Sequence, residues 1–277
     1  MPKPASPPSQ QTANLLRQDL HPALPVLGIL GVGHFASYTL AGLRRGGFSG
    51  QVVLSPRNAE VARTLAKEQS CLVAGSNQEV IDRASMLLLS VRPHQLADLL
   101  KDLTFRSDQI VISAIAGISL DEHRAAGPLP EQLVRMIPVC SIEAGEGIIP
   151  IFPSHPLVEA LARFTGTPVA LESEEQFDLA LVASCMNGWL YEFFGDLADW
   201  LTNKGLPEDK TREMILHNIR GATAYGLLKK NETLQDITQG IATPGTFTLD
   251  GLKQLRNQQG ISAWTKAMDG VLGKLKA

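Results

Sequence analysis

Two glycines and an alanine near the start of the chain have the types and spacing that bind a nucleotide phosphate. They form Gly31-x-Gly33-x-x-Ala36, which follows the apolar run Val26–Leu30 and precedes a helical pattern. In a strand–turn–helix, the first glycine permits a tight turn and the second lets backbone approach a pyrophosphate, while the small third residue allows close packing. The helix N-terminus adds unpaired N–H groups and a positive dipole end. The sequence therefore predicts a dinucleotide site whose residues are Gly31, Val32, Gly33, His34, Phe35 and Ala36.

The end of the second apolar run lacks the carboxylate that NAD-preferring sites usually have. Such sites place Asp or Glu about 20 residues beyond the glycines, where it accepts from the ribose 2′-hydroxyl. Here that place reads Ser55-Pro56-Arg57-Asn58. Hydroxyl, guanidinium and amide groups suit a 2′-phosphate, which arginine can bind through two parallel hydrogen bonds. Ser55, Arg57 and Asn58 therefore predict NADP(H), with NAD(H) as the alternative if Arg57 is only a solvated loop residue.

Two further segments follow apolar runs, at the edge where open α/β sheets bind their ligands. In Ser90-Val91-Arg92-Pro93, we expect Val91, Arg92 and Pro93 to line the cofactor. The alternative is an ordinary turn before a helix. In Ser113-Ala114-Ile115-Ala116-Gly117, the small residues Ala114 and Ala116 would let a flat nicotinamide ring approach.

A second cluster near the C-terminus reads Ala242-Thr243-Pro244-Gly245-Thr246-Phe247-Thr248 and leads into leucines at helical spacing. Threonine at an N-cap with proline at the first helical position is typical of a helix start, so we predict one at Thr243. A helix start offers N–H groups and hydroxyls to a substrate carboxylate. The predicted substrate ligands are Thr243, Pro244, Gly245 and Thr246. An ordinary capped helix is the alternative.

The elements that position these residues form two series. Short apolar runs alternate with amphipathic stretches up to about residue 152, which is typical of parallel βαβ units. Candidate strands cover residues 26–30, 51–54, 86–91, 109–114, 133–137, 147–152 and 168–171, with helices at 59–68 and 95–103. After a capping-box pattern at Ser173, only helical periodicity remains, with breaks near residues 205–207 and 243–245. We predict an α/β chain with a doubly wound Rossmann-type sheet at residues 26–172 and an all-α domain at 173–277.

Composition excludes several other classes of protein. A formal charge of −3 over 277 residues indicates no basic surface for nucleic acid or membrane, and no apolar run is long enough to span a bilayer. Three widely spaced cysteines and six histidines without metal-ligand spacing predict a cytoplasmic protein without a disulfide framework or a metal. Residues 1–25, rich in Pro, Ser and Gln, are expected to be a flexible extension.

Aromatic residues are concentrated in the first predicted helix of the second domain. Five of the fifteen lie within residues 189–200 of that helix, and they are Trp189, Tyr191, Phe193, Phe194 and Trp200. A helix that is apolar around this much of its girth should be buried, either in a core or against another subunit. Both alternatives stay open at this point.

Together these motifs resemble the Δ1-pyrroline-5-carboxylate reductase family over roughly residues 26–273. The matching segments, in the same order and spacing, are 31–36, 90–93, 116–118, 135–138, 145–147, 205–207 and 243–245 with Thr248. The resemblance implies a Rossmann domain, a helical domain that forms a homodimer or higher homo-oligomer, and an active site at the dimer interface. It further implies that the Thr243–Thr248 segment holds the carboxylate of a cyclic imino acid. Thr248 would bond the imine nitrogen while NAD(P)H delivers hydride, as in proline biosynthesis.

The chain departs from the family mainly in its substrate motifs. The family's Met-Pro-Asn-Thr-Pro is Ile137-Pro138-Val139-Cys140-Ser141 here, and its Ser-Gly-Ser-Gly-Pro-Ala-Tyr is the segment 183–189. Thr246 replaces a glycine of the family, and this threonine would be strained if its position required a positive φ. His34-Phe35 replaces Asn-Met beside the cofactor, where His34 is either a turn residue or a proton donor.

Imine reduction fits the remaining residues better than carbonyl reduction does. A developing alkoxide needs a proton donor, which related hydroxyacid dehydrogenases supply as the lysine of Gly-x-x-x-Lys. Here Glu192 stands four residues after Gly188. Glu192 and Asp196 are read as solvated carboxylates rather than an acid–base pair. The alternative function is an NADP-binding homologue with a different substrate or a non-catalytic regulatory role.

Overall fold

The computed structural model describes residues 24–276, so the predicted extension at 1–25 lies outside the described residues except for its last two. The described chain divides into two compact units, one ending at Phe177 and one beginning at Asp178. We call them the sheet unit and the helical unit. The predicted boundary near residue 173 stays a prediction.

The sheet unit is built on one eight-stranded sheet with the order β3-β2-β1-β4-β5-β6-β7-β8. Neighbouring strands are parallel except for β6 and β7, which are antiparallel. This confirms the predicted doubly wound α/β fold. The strands are Leu27–Leu30 (β1), Val52–Leu54 (β2), Leu72–Val73 (β3), Met86–Leu89 (β4), Ile110–Ser113 (β5), Leu133–Met136 (β6), Ile148–Phe152 (β7) and Thr167–Ala170 (β8).

Helices cover both faces of the sheet because its strands are apolar on both faces. In β1, Leu27 and Ile29 join one buried cluster and Leu30 joins the other. Gly28 permits close packing on the second face, where a Cβ would lie 2.8 Å from side-chain atoms of Val80 and Ala84. The helices are His34–Arg45 (α1), Ala59–Gln69 (α2), Asn77–Arg83 (α3), Leu96–Leu100 (α4), Leu120–Ala126 (α5) and Pro156–Ala162 (α6).

The helical unit contains only helices among its described residues, as the periodicity after Ser173 predicts. The predicted breaks at 205–207 and 243–245 separate helices. Within residues 24–276, no helix is long and apolar enough to cross a membrane. The helices are Glu174–Asn203 (α7), which begins in the sheet unit, Glu208–Leu228 (α8), Leu234–Ile241 (α9), Phe247–Asn257 (α10) and Ser262–Leu275 (α11).

The structure corrects two expectations in this unit. The helix predicted to start at Thr243 starts at Phe247, and its N-cap is Thr246, whose side chain accepts from the Leu249 N–H. Two residues of the aromatic cluster at 189–200, Tyr191 and Trp200, are not core residues of the single chain, since they are 62% and 60% exposed. The core interpretation of that cluster is therefore wrong for these side chains.

Candidate functional site

Four loops with predicted cofactor ligands meet at one edge of the sheet. Leu30, the last residue of β1, pairs with Leu89 of β4, and Leu89 pairs with Ser113 of β5. The same parallel sheet pairs β1 with β2. Because the carboxyl ends of parallel strands lie at the same edge, the segments 31–36, 55–58, 91–93 and 114–116 are neighbours there.

The β1–α1 turn requires glycine at its first position. Gly31 has a φ of +97°, and a Cβ there would lie 2.5 Å from the Ser90 carbonyl oxygen. The Ser90 hydroxyl in turn donates to the Gly31 carbonyl. The chain at the end of β1 therefore lies directly against the chain at the end of β4. A residue with a side chain at position 31 would prevent this close approach.

The next glycine leaves the N-terminus of α1 open. Gly33 is the N-cap, and among residues 24–276 no side chain caps this helix and a Cβ at Gly33 would meet no atom within 4 Å. The first-turn N–H groups therefore face free space, which fits a phosphate group of a dinucleotide. Val32 and Ala36 are buried in the core behind this opening, while the His34 side chain is exposed beside it and Phe35 is half-buried.

At the end of β2, the predicted ribose ligands differ in exposure. Ser55 is buried, and its hydroxyl donates to Asn77 Oδ1 at 2.7 Å. Arg57 and Asn58 are exposed, and the Arg57 guanidinium forms no ion pair within 4.0 Å with the described residues. Sequence reasoning missed Asn77. Its signal was the capping residue Ser76, which accepts from the Glu79 N–H and marks a helix start at this edge.

The turn after β4 holds Val91, Arg92 and Pro93. Val91 is half-buried, while Arg92 and Pro93 are exposed at the start of a 3-10 turn, Pro93–Gln95. The Arg92 N–H donates to Gln95 Oε1 at 3.2 Å. The loop thus closes on itself and presents its backbone and the Arg92 side chain at the sheet edge.

A buried polar pair underlies the turn after β5. Ser113 and His123 are both fully buried, and Ser113 Oγ lies 2.6 Å from His123 Nε2. Ala114 is half-buried and Ala116 is exposed above them. Burial lowers the pKa of the His123 imidazole, with the nearby Arg135 charge acting in the same direction. Sequence reasoning missed this pair, which becomes visible only when β5 and α5 are placed side by side.

The predicted substrate ligands lie in the helical unit, in the loop between α9 and α10. Gly245 has a φ of +85°, whereas Thr246 has a φ of −96°, so the replacement of glycine by Thr246 causes no backbone strain. The Thr246 hydroxyl donates to the Thr243 carbonyl at 2.7 Å and accepts from the Leu249 N–H. Thr243, Pro244 and Thr248 are exposed.

The described residues contain no cluster of side chains suited to binding a metal ion. Among residues 24–276 there is no group of three or more His, Cys, Asp or Glu side chains that could hold an ion. Glu192 and Asp196 are both exposed on α7, as expected of solvated carboxylates.

Comparison with known proteins matches both units. Residues 26–117 match the family described as NADP oxidoreductase coenzyme F420-dependent, and residues 174–276 match the one described as pyrroline-5-carboxylate reductase dimerisation. The chain is 25% identical to pyrroline-5-carboxylate reductase 3 of Xenopus laevis over 244 residues, which are 84% of this chain and 88% of that protein.

Two solved structures share the fold. One is 1-pyrroline-5-carboxylate reductase from Streptococcus pyogenes, with a TM-score of 0.80, 24% identity and coverage of 91% of this chain and 98% of that one. The other is Plasmodium falciparum pyrroline carboxylate reductase with NADP bound, with a TM-score of 0.80, 19% identity and coverage of 92% and 98%.

Proposed function

This chain belongs to the pyrroline-5-carboxylate reductase family, and on that premise we propose that it reduces a cyclic imino acid with hydride from NADPH. The cofactor is NADP(H), in agreement with the NADP oxidoreductase family that residues 26–117 match and with the NADP-bound structure that shares the fold. The observation that carries the proposal is the uncapped N-terminus of α1, with free space above Gly33, at the edge where four βα loops meet.

Each loop has a distinct task in holding the cofactor. The N–H groups of Gly33 to Ala36 would bind the pyrophosphate, and the exposed Arg57 guanidinium would bind the 2′-phosphate. Ala114 and Ala116 are small enough to leave room for a flat ring at the end of β5. Bound NADPH would supply the hydride that the imine carbon accepts.

The substrate asks for orientation rather than for a strong acid. A protonated imine is already electrophilic, so the protein need only hold it and stabilise its charge. The exposed Thr248 hydroxyl is the group we assign to the imine nitrogen, and the turn at Thr243–Thr246 is assigned to the substrate carboxylate. The position that carries a lysine in hydroxyacid dehydrogenases is Glu192 here, so the lysine that would protonate a developing alkoxide is absent from that position.

A second candidate function is NADP binding with another substrate or without turnover. It is favoured by the changed substrate motifs, in which Val139 stands in place of a polar asparagine and Ser184 and Met186 stand in place of the family's two glycines. Cofactor affinity without turnover would identify this case.

The test follows NADPH oxidation by absorbance with Δ1-pyrroline-5-carboxylate and quantifies proline. We expect turnover by the wild type, and in Thr248→Ala a fall in kcat of about 10-fold or more with an unchanged Kd for NADPH. Thr265→Ala, which removes an exposed threonine hydroxyl from α11, is the matched control and should retain wild-type turnover. Tight NADPH binding with no turnover across a panel of cyclic imines and ketones would refute imine reduction and support the second function.

The same premise leads us to propose a homodimer formed by the helical unit. Its support is the exposed apolar surface of α7 and a groove of about 650 Å³ between α7 and α8, lined by Tyr191, Phe194, Ile215 and Leu216. Apolar surface of this extent on a soluble chain is typical of a protein–protein interface. Light scattering after size exclusion should give twice the monomer mass, and Trp200→Glu should shift it toward the monomer. A wild type that is monomeric at micromolar concentration would refute the dimer.

A further inference from the structure

We infer that His123 is a positioning residue that acts through Ser113 to fix the turn at the carboxyl end of β5, against which the nicotinamide ring rests. This inference depends on the proposed function, since it assigns a role toward the proposed cofactor. His123 is fully buried and cannot touch a substrate, so any effect it has on the reaction must pass through its hydrogen-bond partners.

The hydrogen bonds of His123 define its tautomer. Nδ1 lies 2.7 Å from the Ser119 carbonyl oxygen, which can only accept, so Nδ1 carries the proton. Nε2 therefore accepts from the Ser113 hydroxyl at 2.6 Å. Ser113 Oγ in turn accepts from the Ile115 N–H at 3.2 Å. A directed chain thus runs from the Ile115 amide through Ser113 and His123 to the start of α5.

This chain fixes a turn that has no other hydrogen bond in its middle among those of the described residues. At one end, the Ala114 N–H continues the sheet by donating to the Leu89 carbonyl. At the other end, Ser119 and Glu122 form a reciprocal cap on α5. Between them, the Ile115 amide is held only by Ser113 Oγ, while Ala116 and Gly117 remain exposed at the sheet edge.

The surroundings of His123 keep it neutral. Burial lowers its pKa, and the charged groups that face it are Arg135 on β6, Glu174 at the start of α7 and Glu122 on its own helix. The Arg135 cation adds to the lowering, and the two carboxylates oppose it. A neutral imidazole preserves Nε2 as the acceptor for Ser113, which the hydrogen-bond chain requires.

Two substitutions break the chain at different points. His123→Leu removes the acceptor for Ser113, and Ser113→Ala removes the hydroxyl that holds the Ile115 amide. We expect each to lower kcat by about 10- to 100-fold, because displacements of an ångström at a reacting centre have effects of this size. The Kd for NADPH should stay within about threefold of wild type, since the pyrophosphate and 2′-phosphate ligands lie on other loops. The double variant should lose no more than either single one.

Two further variants separate positioning from stability. His123→Gln keeps an acceptor within reach of Ser113 and should recover most of the lost kcat. His155→Leu removes a half-buried histidine whose Nε2 bonds Gln132 Oε1 at 3.2 Å, at the opposite edge of the sheet. It should lower the melting temperature without changing kcat.

A second readout needs no substrate. The fluorescence emission and lifetime of bound NADPH report the surroundings of the nicotinamide, and both should change in His123→Leu and Ser113→Ala but not in His155→Leu. If the wild type turns over no imine, the proposed function fails while this measurement still decides the inference. Wild-type fluorescence and kcat in His123→Leu, or fully additive losses in the double variant, would overturn it. If His123→Leu does not fold, Ser113→Ala and His123→Gln decide the same question.

Discussion

Glu174 joins three elements of the sheet unit, and its removal should destabilise that unit. Its Oε1 accepts from Arg135 Nη1 on β6 at 2.8 Å and from the Leu120 N–H at the start of α5 at 2.9 Å. The Arg135 side chain is only 2% exposed, and its guanidinium carbon lies 4.3 Å from the Phe177 ring centroid. Glu174→Ala would therefore remove one carboxylate that pairs with this buried cation and the acceptor of the Leu120 amide.

The expected loss follows from burial. Removing one partner of a buried ion pair costs about 3–5 kcal/mol when nothing else compensates the remaining charge, and Arg135 keeps other contacts, so the expected loss lies at the low end of that range. The Glu174 side chain is 30% exposed, so water already screens part of the pair. The contact with Phe177 also persists, and such contacts contribute about 0.5–2 kcal/mol. We expect Glu174→Ala to lower the free energy of unfolding by about 3 kcal/mol. Glu174→Gln should cost about 1.5 kcal/mol, since its amide oxygen can still accept from Leu120.

The assay must follow the sheet unit, which tryptophan fluorescence does not. All three tryptophans of the chain, at positions 189, 200 and 264, lie in the helical unit. Hydrogen exchange of peptides from β5 and β6 reports the sheet unit directly. Amides of β5 and β6 that exchange only when the sheet unit unfolds should exchange about 100-fold faster in Glu174→Ala than in the wild type.

Glu172→Ala is the control for that experiment. It removes an exposed carboxylate just before α7, and such surface changes usually alter stability by less than about 0.5 kcal/mol. Exchange rates in Glu174→Ala that stay within about threefold of wild type would refute the reasoning that the Arg135–Glu174 pair stabilises this unit.

Three other predictions concern cofactor choice, cysteine reactivity and pH. Arg57→Ala should raise the Kd for NADPH by about 10- to 100-fold and leave that for NADH nearly unchanged, as measured by calorimetry, because a charge-assisted hydrogen bond contributes about 1.5–3 kcal/mol. Exposed Cys140 should react with a thiol reagent in the folded protein, whereas Cys71, whose thiol pKa is raised by burial, should react only after unfolding. Because the pKa of His123 is lowered in the folded chain, its neutral form contributes stability above the unfolded pKa of about 6.5, and this is lost as pH falls through the folded pKa. Urea unfolding at several pH values should show a weaker acid dependence in His123→Gln.

Most of the sheet follows from the sequence because its central strands are uninterrupted apolar runs. The predicted strands at 26–30, 86–91 and 109–114 are observed as β1, β4 and β5, each shorter by one or two residues. β3 was missed because it has only two residues, Leu72 and Val73, and both are exposed at the sheet edge. A strand this short carries no periodicity that a sequence could display.

Helix starts show a different limit. Thr243-Pro244 satisfies the rules for a helix start, yet α10 begins at Phe247 because Thr246 caps it and Gly245 adopts a left-handed φ. Two threonines within four residues can both act as caps, and propensity alone does not choose between them. The hydrogen bonds of the folded turn do, since Thr246 donates to the Thr243 carbonyl while it accepts from the helix.

Side-chain partners far apart in sequence were the least predictable part of the candidate site. Ser55 and Asn77 bond across two strands, and Ser113 and His123 bond across a strand–turn–helix. Each pair is specified only when strand order and helix placement are known. Sequence motifs predicted the loops that lie at the carboxyl edge of the sheet, because these loops depend on local backbone conformation, but they did not predict the buried groups beneath those loops.

The two units obtain their stability in different ways, and this bears on how their functions can be separated. Every residue of β1 and β4 is buried within the sheet unit. By contrast, α9, α10 and α11 contain no buried residue, and Phe247 at the start of α10 is 96% exposed. Helices that leave so much apolar surface in water gain most of their stability from packing against another surface. Substitutions of the exposed apolar residues of α7, such as Trp200, should therefore affect the proposed dimer first, whereas those at the end of β1 or β5 should affect the proposed cofactor site.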